Sequence, residues 1–139
     1  MTARFLLDTN ICIYIRRQRP PPVLERFRRI TQGEAALSVI IYGELGYGAE
    51  KSQFRQRALG QSAELAALLP LMELPLRAGE LYGSIRAALA AEGCMIGNND
   101  LWIAAHAKAA GLILVTSNER EFRRTEGLEI QNWAECSER

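Results

Sequence analysis

Aspartate occurs only twice in the 139 residues, at Asp8 and Asp100, whereas glutamate occurs fourteen times. Asp8 stands in "RFLLDTNI", where an apolar run breaks, and Asp100 in "IGNNDLWIAAHA", just before or within the first turn of a helical stretch. Glu44 lies early in the helical segment after "AALSV", and Asn118 and Glu121 follow the apolar "LILVT". Carboxylates gathered without matching cations repel one another, and some must take up protons. A hard divalent cation removes that conflict, and oxygen-only ligands favour Mg²⁺ or Mn²⁺ over zinc. Such an ion takes one or two carboxylates and keeps waters, leaving room for a phosphate oxygen and a nucleophilic water. These residues together point to metal-dependent phosphoryl transfer. Taken singly, each has a plainer role: Asp8, Asp100 and Asn118 as helix N-caps, Glu44 as a solvated helix residue.

The chemistry requires elements that bring distant residues together. "RFLLD" reads as a buried strand running into a helix around residues 11–17, which "RPPP" ends because proline removes a donor and constrains its predecessor. "VLERFRRI" has helical spacing, with Gly33 expected as its C-cap, and "AALSV" reads as a second strand. "IIYGELGYGAEKS" begins a helix despite three glycines, residues 53–69 form another, and "LMEL" is a third strand. "LRAGELYGSIRAALAAEG" and "LWIAAHAKAAG" are helices closed by Gly93 and Gly111. "LILVT" is the clearest strand, a short helix follows, and "LEIQNW" reads as an edge strand. Helices alternating with short apolar strands predict crossover connections and a mainly parallel sheet of four to five strands, in one α/β domain spanning 1–139. In such a sheet, ligands bind beyond the carboxyl ends of the strands. Asp8, Glu44, Asp100, Asn118 and Glu121 would all emerge there.

Composition excludes several classes. With 48% apolar and 24% charged residues the chain is not of disordered type, and a net charge of +1 advertises no global attraction to nucleic acid or membrane. Its seventeen cations are fifteen Arg and two Lys. Guanidinium forks suit phosphate, although the codon usage of a GC-rich genome accounts for the bias equally well. Cys12, Cys94 and Cys136 show no disulfide or zinc spacing. Without a signal peptide or membrane-length apolar run, the cytoplasm is the expected compartment.

Five blocks, "LLDTNICIY", "SVIIYGELGYGAEKS", "IGNNDLWIAAHA", "LVTSNEREF" and "GLEIQNW", occur in an order and spacing that strongly resemble the PIN-domain ribonucleases, specifically the VapC-type toxins of bacterial toxin–antitoxin pairs. The likeness runs from about residue 4 to residue 133. It implies an α/β/α sandwich, in agreement with the pattern above, and a Mg²⁺-dependent endoribonuclease, with Mn²⁺ as a substitute. The implied substrate is tRNA or another structured RNA loop, cut to 3′-hydroxyl and 5′-phosphate ends so that translation stops. Asp8 and Asp100 match the family's metal-binding aspartates, and Glu44 its glutamate. The fourth acidic place falls on Asn118, an amide, with Glu119 or Glu121 as compensating carboxylates. Thr9 and Thr116 are expected to hydrogen-bond the carboxylates. The resemblance further implies a homodimer, a VapB-type antitoxin that neutralises the toxin, and a larger DNA-binding complex with that antitoxin.

The remaining signals are structural. His106, the only histidine, sits two turns beyond Asp100 and reads as a partly buried packing residue, as do Trp102 and Trp133. Gly43, Gly46 and Gly48 suggest close approach of another backbone, within the chain or from a partner. Two rivals stand beside the nuclease: a PIN-like module that binds RNA or a partner without cutting, and a signalling domain phosphorylated on Asp8. The second needs a lysine after the last strand, and Lys51 and Lys108 both fall in helical stretches.

Overall fold

The structure, a computed structural model, describes residues 2–135; Cys136 lies outside them. Five strands pair in the order β3-β2-β1-β4-β5, all parallel. They are β1 (Phe5–Leu7), β2 (Ala35–Ser38), β3 (Leu71–Met72), β4 (Ile113–Val115) and β5 (Ile130–Gln131). Seven helices connect them: α1 (Thr9–Arg17), α2 (Pro21–Arg29), α3 (Val39–Glu50), α4 (Arg55–Leu68), α5 (Arg77–Ala91), α6 (Asn98–Ala110) and α7 (Glu119–Phe122). Every residue of β1 and β2 is buried. Because successive strand side chains point to opposite faces, both faces of the sheet must be covered. The α/β reading with a parallel sheet holds, and β3 and β5 are two-residue edge strands.

The chain leaves β1 on one side through β2 and β3, then returns on the other through β4. The strand order therefore reverses between β1 and β4, where a crevice opens beyond the carboxyl ends. Register puts Leu7 opposite Val115, and the Asp8 amide donates to the Val115 carbonyl at 2.9 Å. Asp8 and Thr116, the next residues of each strand, are thereby fixed side by side.

Helix ends follow local chemistry. Gly111 (φ 68°) takes the left-handed conformation that closes α6, as expected. Gly33 does not cap α2. That helix ends at Arg29 with Ile30 extended, and Gly33 (φ 98°) belongs to a turn in which the Glu34 amide donates to the Thr31 carbonyl. The glycines of α3 meet no close backbone either: a Cβ built on Gly43, Gly46 or Gly48 has no neighbour within 4 Å. Intrachain crowding is thus not the reason for them.

His106 is fully rather than partly buried, and its Nδ1 lies 2.9 Å from Ser38 Oγ. Ser38 also caps α3, accepting from the Ile40 amide at 3.1 Å. One hydroxyl thus ties α6 to the start of α3, and burial lowers the His106 pKa. Ser38→Ala removes the cap and leaves Nδ1 without a partner, at an expected cost of roughly 2 to 3 kcal/mol, measurable by urea denaturation. Trp133 is buried against Phe5 with ring centroids 5.4 Å apart, and half-buried Trp102 stacks on Tyr82 at 4.0 Å, so both pack as expected. Among the described residues no helix is long and apolar enough to cross a membrane.

Candidate active site

The extended backbone of Asp8 (φ −73°, ψ 164°) starts α1. Its Oδ1 accepts the Thr9 amide at 2.8 Å, and Oδ2 accepts the Thr116 hydroxyl at 2.7 Å. Asp8 is therefore the expected cap, yet it is also buried in a crevice, which a solvated cap does not require. Burial raises its pKa most; the bonds from Thr116 and Thr9 oppose this, and the charges of Glu44 and Glu121 add to it.

Asp100 sits in the first turn of α6, whose N-cap is Gly97, so it does not cap the helix. Among the described residues no side-chain hydrogen bond reaches its carboxylate. Its pKa is pushed up to about 6, first by burial and then by the negative charges of Asp8, Glu121 and Glu44. Those three residues come from β1–α1, α7 and α3, far apart in sequence.

Glu44 is half-buried rather than freely solvated. The Thr9 hydroxyl donates to its Oε1, and Asn99 Nδ2 donates to Oε2 at 3.0 Å. Both threonines thus bond carboxylates as expected, Thr9 to Glu44 and Thr116 to Asp8. Asn118 stands at the N-cap position of α7 but makes no side-chain cap bond. Its amide nitrogen donates instead to Glu121 Oε2 at 2.8 Å, and its backbone N–H donates to Thr116 Oγ1 at 2.9 Å. Glu119 is engaged elsewhere, by Arg123 Nη2 at 2.6 Å and Asn132 Nδ2 at 2.9 Å. Of the two glutamates left open by the sequence, Glu121 is the one whose charge acts on both aspartates.

Asp8, Glu44, Asp100 and Asn118 line one cavity of about 440 Å³, together with Thr9, Asn10, Tyr47 and Asn99. Glu121 is not in that lining and reaches the site through its charge and through Asn118. Sequence reading missed Asn99 and Tyr47; the position of Asn99 directly before Asp100 was the one local hint.

The donor set fits a hard divalent cation. The charges of Glu44 and Glu121 bear on Asp8, those of Asp8, Glu121 and Glu44 bear on Asp100, and among the described residues the Asp100 carboxylate has spare acceptor capacity. Among the described residues no group of three or more His, Cys, Asp or Glu side chains is arranged to hold a metal ion; a cation in this crevice would rest on fewer carboxylates and on water.

The PIN domain family model matches residues 5–128. Ribonuclease VapC2 of Haemophilus influenzae is 40% identical over 130 residues, spanning 94% of this chain and 98% of the relative. The tRNA(fMet)-specific endonuclease VapC of Shigella flexneri is 41% identical over 131 residues, again 94% and 98%. The crystal structure of DNA-bound VapBC from Salmonella typhimurium superposes with a TM-score of 0.89 at 38% identity, covering 95% of this chain and 99% of the other. A parallel sheet that reverses beside Asp8, an acidic crevice at that reversal and likeness along nearly the whole length give one answer: the chain belongs to the PIN-domain family, in its VapC group.

Proposed function

We propose that the chain is a metal-dependent endoribonuclease toxin, a single PIN domain that cleaves tRNA or another structured RNA loop in the cytoplasm and so halts translation. The observation that carries this reading is the acidic crevice lined by Asp8, Glu44 and Asp100, with the charge of Glu121 acting on both aspartates. The substrate class is supported by relatives named as ribonucleases and tRNA endonucleases. Mg²⁺ is the proposed ion, with Mn²⁺ as substitute. Asp8 and Asp100 hold it. When bound, the ion lowers the pKa of a water and offsets charge on the phosphate.

The chain's own residues do the rest. Thr116 and the Thr9 amide fix the Asp8 carboxylate, so little reorganisation accompanies binding. Glu44, held by Thr9 and Asn99, orients the attacking water and accepts its proton as the new P–O bond forms and the P–O3′ bond breaks, and the departing 3′ oxygen takes a proton from solvent water. Asn118 keeps Glu121 turned toward the aspartates as the fourth negative charge. The solved VapBC complexes, some of them DNA-bound, support a VapB-type antitoxin as the neutralising partner. Homodimer formation and a larger DNA-binding complex with that antitoxin belong to the same reading.

Purified protein incubated with bulk tRNA is expected to cleave in Mg²⁺ and to stop when EDTA is added. Binding without cleavage in Mg²⁺ or Mn²⁺ would instead support a non-cutting RNA-binding module.

A further inference from the structure

A second cavity, of about 320 Å³, lies at the other end of α1 from the acidic one and has the opposite charge character. Arg16, Arg17 and Arg57 line it, with Phe54 beside them. Two helices join the cavities. Helix α1 begins with Thr9 in the acidic cavity and ends with Arg16 and Arg17 in the basic one, a run of roughly 12 Å. Helix α3 brings Glu44 and Tyr47 to the first cavity, then turns through Ser52 and Phe54 into Arg57 at the second. The two helices also pack on each other.

Arg4, Arg29, Arg55 and Arg123 pair with glutamates. Among the described residues, Arg16, Arg17 and Arg57 make no ion pair and no side-chain hydrogen bond. Tyr47 (68% exposed) and Phe54 (66%) are the only aromatic members of the large exposed apolar set among those residues. Lys51 Nζ lies 4.7 Å from the Tyr47 ring centroid, adding a cation between the cavities. Free guanidinium forks beside exposed aromatic faces match a single nucleic-acid strand, with phosphates for the forks and base faces for the rings. The next cavity shares Arg16 and Gln61 with the basic one and adds Ile15, Glu64, Leu65 and Leu68, so its lining turns more apolar.

We propose that the cleft between the C-terminal half of α1 and the α3–α4 corner is an RNA-strand subsite: Arg16, Arg17 and Arg57 grip phosphates within a few nucleotides of the scissile one, while Tyr47 and Phe54 stack bases. The subsite deepens the ribonuclease reading and rests on it.

The test compares the full chain with an Arg17→Gln/Arg57→Gln double variant, Phe54→Ala and an Arg29→Gln control, whose guanidinium pairs with Glu25 at the end of α2. Binding of a single-stranded oligoribonucleotide is measured across a KCl series, and cleavage of bulk tRNA gives KM and kcat. The double variant should raise Kd and KM by on the order of tenfold at physiological salt and flatten the plot of log K against log salt by about 0.7 per arginine. Phe54→Ala should weaken binding by roughly tenfold with the salt slope unchanged, and the control should match wild type. An unchanged Kd, KM and salt slope in the double variant overturns the subsite while wild-type cleavage still upholds the nuclease. If wild type cleaves nothing but the double variant loses salt-dependent binding, the nuclease reading fails and the RNA surface stands. Intact RNA binding together with loss of a co-purifying antitoxin assigns the cleft to a protein partner and also overturns it.

Discussion

Asp100→Asn abolishes RNA cleavage, with an expected loss of about a thousandfold or more, and stabilises the metal-free protein at neutral pH. The two effects have one origin. Asp100 is held partly out of water in the field of Asp8, Glu121 and Glu44, with its pKa pushed up to about 6 from an ordinary 3.8. Keeping it ionised at pH 7 costs the fold free energy, with a ceiling of about 3 kcal/mol for a shift of that size. Asp100 is half exposed, so water screens part of the field and about 1 to 1.5 kcal/mol is the realistic gain. The amide keeps the shape and removes the charge, so stability rises while an anionic ligand is lost. Thermal melts in EDTA, set beside cleavage of tRNA in Mg²⁺, check both arms. A variant that is both inactive and less stable would place Asp100 in a packing role instead.

The second large effect is the reversal of pH dependence on adding a divalent cation. Between about pH 4 and pH 6 the folded, metal-free chain holds a proton on Asp100 that the unfolded chain has already released. Stability therefore falls as pH rises through that window. Asp8, whose pKa is also raised, contributes in the same direction. A bound cation competes with those protons and stabilises most where the carboxylates are ionised. At a hundredfold excess over its dissociation constant it contributes about 2.7 kcal/mol, roughly 8 °C in Tm for a chain this size. Melts with Mg²⁺ or Mn²⁺ should show that increase at pH 7.5, little of it at pH 5, and none in an Asp8→Asn/Asp100→Asn double variant. Equal increases in the double variant would mean that the ions act elsewhere.

Much of this was legible in the sequence because the signals were local. The apolar runs of β1 and β4, the left-handed Gly111 and the two scarce aspartates are all readable within a few residues. Distance in the chain hid the rest. The bonds from Asn99 to Glu44 and from Thr116 to Asp8 join residues 55 and 108 positions apart. Helix α1 starts at Thr9 rather than near Ile11 because Asp8 caps it, an arrangement that polar Thr9 and Asn10 disguise as loop. Glu119 and Glu121 could not be separated either, since the choice depends on Asn132 and Arg123 drawing Glu119 away. The glycines of α3 misled for a related reason: glycine permits close approach, but only the packed chain shows whether anything approaches.

An anomalous difference map from crystals soaked in Mn²⁺ at pH 7.5 tests the metal centre most directly. The expected result is a peak in the crevice between β1 and β4, within about 2.0 to 2.3 Å of a carboxylate oxygen from each of Asp8 and Asp100, and lost in Asp8→Asn/Asp100→Asn. A peak bound only by other side chains, or an empty crevice at saturating Mn²⁺, would contradict it.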